Sequence, residues 1–149
     1  MYSTHEYNFI KKKVDNFLKS TGLPYYDEKY IRTQNSQLTE IDFILDINNC
    51  NVCIFTKFIN PAPSSSTITK FISNLNIVKE ITNKEIYAIL LLKSEISHDD
   101  KFQLMTHPIK NIILNNDDKE ILYKMFMEFM YSNNIFIKDS DGDTVMLNL

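Results

Sequence analysis

The chain has 149 residues, 44% of them hydrophobic and 23% charged, with a formal net charge of −3 and a pI near 5.6. These values exclude global disorder and fit one folded domain, 1–149, with a substantial core. A domain that held duplex DNA by its own charge would be basic, so the balance weighs against autonomous nucleic-acid binding and leaves room only for a local basic face.

The start, Met1 to Lys13, is polar and then basic, without the apolar stretch of a signal peptide. The first predicted element is a surface helix over Thr4 to Ser20, with Ile10, Val14, Phe17 and Leu18 on one face. Thr21-Gly22 ends it, and Pro24 lies beyond. Tyr25 to Thr33 is mixed and is expected to hold a short strand. Thr39 to Ile47 alternates, with Ile41, Phe43 and Leu45 set against Glu40, Asp42 and Ile44. Asn48-Asn49 is a tight-turn pair, since Asn tolerates positive φ. Val52 to Phe58 then pairs back as the second strand of a central hairpin. Pro61 to Ser66 reads as a loop.

Thr67 to Ile81 sets Ile68, Phe71, Ile72, Leu75 and Val78 on one helical face. Glu85 to Leu92 is a continuous apolar run, as in a central strand covered on both sides. Its apolar core falls far short of the roughly 20 residues that cross a bilayer. Ser97 starts a short helix to Met105, and Ile109 to Leu114 is a strand. Asn116-Asp117-Asp118 caps a last helix to Tyr131. Ile135 to Lys138 and Thr144 to Leu147 read as a closing hairpin, so 115–149 is a C-terminal helix and hairpin without an assigned role. The order implies an α/β fold, a mixed central sheet with helices on its faces.

Glu40 and Asp42 lie two apart, and hairpin pairing brings their row toward Lys57. Two carboxylates at a strand end suit Mg²⁺, a hard ion that takes oxygen ligands. A nearby Lys then orients or deprotonates a water. An ordinary cross-strand pair between Asp42 and Lys57 explains the same residues without chemistry.

Asp42, with Phe55-Thr56-Lys57 fifteen residues on, resembles the restriction-endonuclease-like (PD-(D/E)xK) fold, over roughly residues 5 to 115. The resemblance implies a catalytic Asp42 and Lys57, with Glu40 as second ligand and Glu6 as an extra acid. The chain departs from the pattern where the family's second carboxylate is Phe55, which cannot ligate Mg²⁺. A longer ordered likeness spans about residues 5 to 105. Tyr7 to Val14, Thr39 to Phe43, Cys53 to Phe58, Ile68 to Ile72, Asn83 to Leu91 and Ile96 to Lys101 are similar to successive pieces of the N-terminal jaw domain of the fifth subunit of eukaryotic-type RNA polymerases. That family uses the nuclease-like fold without catalysis. The resemblance implies a non-catalytic module without cofactor. Its partners would be other polymerase subunits and downstream DNA. Small metal-dependent DNA nuclease or resolvase, and viral protein-interaction module, are the alternatives.

The remaining signals are local. Cys50-Asn51-Val52-Cys53 lacks the two further ligands of a structural zinc site. With two cysteines and no secretory signal, a reducing intracellular compartment is expected: cytoplasm, nucleus or virion. Scarce Gly, absent Trp and abundant Asn, Ile and Lys are the bias of an AT-rich genome, as in a large DNA virus, a parasite or a similar source. Asp139, Asp141 and Asp143 imitate a calcium loop, but Gly142 falls one residue too early. Lys11, Lys12 and Lys13 form a basic patch, read as a solvated face or a DNA contact. In the last helix apolar residues exceed one stripe, so Met125, Phe126, Phe129 and Met130 are candidate partner-binding residues if the excess is not buried by the sheet.

Overall fold

The computed structural model describes residues 4–47, 52–59 and 64–133, apart from the side chains of Thr4, Glu6, Val52–Phe55, Phe58 and Ile59. The Asn48-Asn49 turn, Cys50, the Asp-rich stretch and the closing hairpin lie outside the described residues. The elements run α1 (Thr4–Ser20), β1 (Tyr25–Asp27), α2 (Glu28–Gln34), β2 (Phe43–Asp46), β3 (Val52–Ile59), α3 (Ser65–Thr82), β4 (Glu85–Leu92), α4 (His98–Met105), β5 (Lys110–Asn115) and α5 (Lys119–Ser132). One sheet has the order β1-β2-β3-β4-β5. Its first three strands pair antiparallel, and β4 and β5 add in parallel. The fold is therefore mixed α/β with helices flanking a mixed sheet.

Two apolar layers hold it together. On one face, Ile10, Val14, Phe17 and Leu18 of α1 and Leu122, Phe126 and Met130 of α5 pack on Phe43, Leu45, Ile89 and Leu91. On the other, Ile68, Phe71, Ile72, Leu75 and Val78 of α3 pack on Ile86, Ala88, Leu90 and Leu92, joined by Ile31 of α2 and Leu104 of α4. Strand β4 feeds both layers with alternate residues, which is why its sequence is apolar without a break. Among the described residues no helix is long and apolar enough to cross a membrane.

Local chemistry sets the element ends. Gly22 takes φ 71° after α1, where Thr21 Oγ1 donates to Leu18 O at 2.6 Å. Ser64, Ser97 and Asp118 cap α3, α4 and α5 through their side-chain oxygens. Because Ser64 is the cap, α3 begins at Ser65, before the expected Thr67. The segment after β1 is a second correction: Glu28–Gln34 is a helix. Asp27 accepts the Tyr30 N–H at 3.0 Å as its N-cap, and Glu28 pairs with Arg32 one turn on.

The excess apolar surface of α5 is largely absorbed by the core. Phe126 and Met130 have no exposed surface, so they offer nothing to a partner and leave the set of candidate contacts. Met125 and Phe129 are half-buried against the same layer, Phe129 lying 5.6 Å from the Tyr87 ring. Phe126 meets Phe17 edge-on at 5.8 Å and 86°, a favoured aromatic geometry. Phe126→Ala is expected to cost about 3–5 kcal/mol by leaving a cavity between α1 and α5. Ile121→Ala, at a site 47% exposed, is expected to cost under about 1 kcal/mol. Urea titration of both variants measures the contrast.

Candidate functional site

The hairpin site is built from its approach segment. Asn74 of α3 is buried and grips residues 37–40: its Nδ2 donates to Gln37 O at 3.1 Å, and its Oδ1 accepts the Glu40 N–H at 2.9 Å. Arg32 donates to Thr39 O at 2.8 Å. The chain therefore enters β2 held from both α2 and α3.

At Asp42 the regular alternation breaks. Its N–H donates to Thr56 O at 3.1 Å, although Thr56 is the register partner of Phe43. Two successive residues face one across the hairpin, the arrangement of a β-bulge, which re-aims a side chain. Ile41 accordingly packs in the α3 layer and Phe43 in the α1 layer, though a regular strand would put both on one face. The even alternation expected from Thr39 to Ile47 holds only from Phe43 onward. Glu40 and Asp42, expected side by side, precede the regular pairing and engage different partners.

Asp42 is wholly buried. Tyr7 of α1 donates its hydroxyl to Asp42 Oδ2 at 3.3 Å. Glu28 of α2 stands near the same carboxyl group. Lys11 of α1 donates to Glu28 Oε1, and Arg32 lies 3.4 Å from Glu28 Oε2. Burial pushes the Glu28 carboxyl up, but the hydrogen bond and charge of Lys11, the hydrogen bond with Asp42 and the charge of Arg32 hold it below its ordinary value. Burial raises the Tyr7 phenol well above its ordinary value, and the Asp42 charge and hydrogen bond add to the rise. Beside the cluster, a groove of about 400 Å³ is lined by Asn8, Lys11, Lys12, Asp15, Asp27 and Phe43. There Tyr25 donates to Asp15 at 2.9 Å, and its hydroxyl is pushed up to about 12 by burial and by that carboxylate.

The residues singled out in the sequence divide between several roles. Lys57 is nearly buried, and its ion pair is with Glu40 at 3.1 Å, so the cross-strand pair expected with Asp42 is replaced by one with Glu40. Phe55 stands in a register row with Ile44 and Ala88. Glu6 lies in α1, and its side chain is outside the described set. Lys11 of the basic triplet is tied to Glu28. His107 accepts the Ile109 N–H at 3.1 Å, and burial holds its imidazole below the usual range. Tyr7 and Glu28 were not anticipated. The sequence carries a signal for Glu28 only in the Asp27 cap, which makes a helix of the segment that follows.

These residues do not fit a Mg²⁺ site. Glu40 is paired with Lys57, Asp42 has no exposed surface, and Mg²⁺ keeps several of its waters when bound. Among the described residues no group of three or more His, Cys, Asp or Glu is placed to hold a metal ion. Comparison with protein-family models, curated proteins and solved structures found no match.

The cluster dictates a pH profile of stability. Tyr7 and Tyr25 have folded values above the unfolded value of about 10. Their contribution is complete below pH about 10 and is lost as pH rises toward the folded values. Glu28 has a depressed folded value, so its contribution is present above its unfolded value and lost as pH falls through the folded one. Thermal melts from pH 3 to 12 are expected to show a plateau that falls at both ends. Tyr7→Phe is expected to flatten the alkaline limb; an unchanged limb contradicts the assignment.

Proposed function

We propose that this chain is a non-catalytic module of restriction-endonuclease-like fold that works by macromolecular contact, as the jaw-like part of a viral or divergent RNA polymerase. One observation carries the non-catalytic half. The carboxylate in the nuclease position, Asp42, is fully buried and accepts a hydrogen bond from Tyr7 of α1. A catalytic carboxylate has to reach a metal ion, water and a phosphodiester. This one instead ties the hairpin to α1.

The fold half is supported by topology. A three-stranded antiparallel unit, then the α3 crossover to a parallel β4, is compatible with the nuclease-like core that residues 5 to 115 resemble. The transcription half rests on the ordered likeness of residues 5 to 105 to the polymerase jaw domain.

Two experiments test the two halves separately. Incubation with branched and linear DNA in Mg²⁺ or Mn²⁺ is expected to give no cleavage, with Asp42→Ala and Lys57→Ala indistinguishable from the parent. Cleavage that both substitutions abolish replaces this reading with a metal-dependent nuclease or resolvase. Affinity purification from the native source is expected to recover polymerase subunits. Their absence from the purified material removes the transcription half and leaves a protein-interaction module.

A further inference from the structure

The basic triplet of α1 is divided by the fold. Lys11 is committed to Glu28. Lys12 is exposed at the groove beside β1. Lys13 points elsewhere: its ammonium lies over the Phe9 ring, 5.5 Å from the centroid. Lys119, the first residue of α5, lies over the same ring at 5.3 Å. Two cations from two helices, far apart in sequence, thus converge on one aromatic side chain. Phe9 is itself anchored against the α1–α5 core layer.

Attraction of each cation to the ring offsets part of their mutual repulsion and fixes their position. Their separation is at most about 11 Å. Among the described residues neither Lys13 nor Lys119 makes an ion pair. Asp118, the acid just before Lys119, is occupied as helix cap, accepting the Glu120 and Ile121 N–H groups at 2.9 and 3.1 Å. Asp117 and Glu120, both exposed, flank this end of α5, so the positive spot is confined to the neighbourhood of the Phe9 ring.

We infer that the α1–α5 surface centred on Lys13, Phe9 and Lys119, with Lys12 at its margin, is a contact for the phosphate backbone of a nucleic acid. Charge complementarity selects the partner. A polyanion with one charge every 3.4 Å along each strand places more than one phosphate within the reach of both ammonium groups. Lysine binds phosphate as a point charge, without the planar fork that reads carboxylates two at a time. The inference stands on these two helices and does not depend on how the buried hairpin is read.

Fluorescence anisotropy at low salt, with the full chain and labelled duplex DNA, single-stranded DNA, RNA and polyglutamate, tests it. Binding to at least one nucleic acid and weaker binding to polyglutamate are expected. The Lys13→Gln, Lys119→Gln pair is expected to lower affinity about tenfold and to make the slope of log affinity against log salt shallower by about 2. Lys101→Gln, on exposed α4, is expected to change nothing. Phe9→Leu keeps an apolar anchor and is expected to weaken binding severalfold, and circular dichroism verifies that each variant is folded. Absence of nucleic-acid binding, equal binding by the double variant, or equal affinity for polyglutamate overturns the proposal. The preferred nucleic acid among the three arms names the source of the phosphate.

Discussion

The burial of Asp42 is the constraint on which the arrangement of the hairpin and its helices depends. Taking a carboxyl group wholly out of water costs several kcal/mol unless polar partners replace the solvent. One such partner is the Tyr7 hydroxyl of α1, and Glu28 of α2 stands near the same group. Glu28 in turn requires cations, and Lys11 and Arg32 supply them. The buried carboxyl thereby constrains the rotation of α1 about its axis, and the Lys11–Glu28 pair ties α2 to α1. A purely apolar contact at the same position would be non-directional and would leave both helices freer to slide.

The bulge makes this burial compatible with a packed core. In a strict period-2 strand, a carboxylate between Ile41 and Phe43 would take the face opposite both. Here Ile41 serves the α3 layer, Phe43 serves the α1 layer, and Asp42 reaches α1 and α2. The two-for-one pairing against Thr56 admits an extra residue without a register slip in β2 itself, where Phe43 through Asp46 pair regularly with Thr56 back to Cys53. Asn74 braces the segment just before the irregularity, supplying polar contacts to Gln37 and Glu40 that the sheet does not provide.

Elements defined by periodicity were legible in the sequence. The α1 and α3 faces, the continuous β4 run and the capped α4 and α5 all follow from local patterns that tertiary contacts reinforce. Helix α2 was not, because seven residues are too few to display a period, and its one clear signal is the Asp27 cap. The bulge was hidden for the opposite reason: Ile41, Phe43 and Leu45 alternate perfectly on paper, and only the third dimension separates Ile41 from the others. Asp42 and Lys57 were visible as chemical types, but their partners were not. Tyr7 lies thirty-five residues from Asp42, and Lys57 pairs with a residue that looked like a metal ligand. In α5, two residues read as free for a partner, Phe126 and Met130, are core, because the sequence cannot tell a helix packed on a sheet and on α1 from one awaiting a partner.

Two independent departures from a nuclease site point the same way. Phe55 removes a ligand by residue type, and the burial of Asp42 removes access for a reader who grants the chain some other ligand. Either alone would leave room for repair, by Glu40 in the first case and by a shift of the hairpin in the second. The Glu40–Lys57 pair bears on the first route, since it places Glu40 against the lysine that a hydrolytic site would need near its water. Lys13 and Lys119, the two cations gathered on the Phe9 ring, lie outside the hairpin, on α1 and α5. Of the residues that resemble an active site, Asp42 is held from α1 by Tyr7 and Lys57 is held by Glu40.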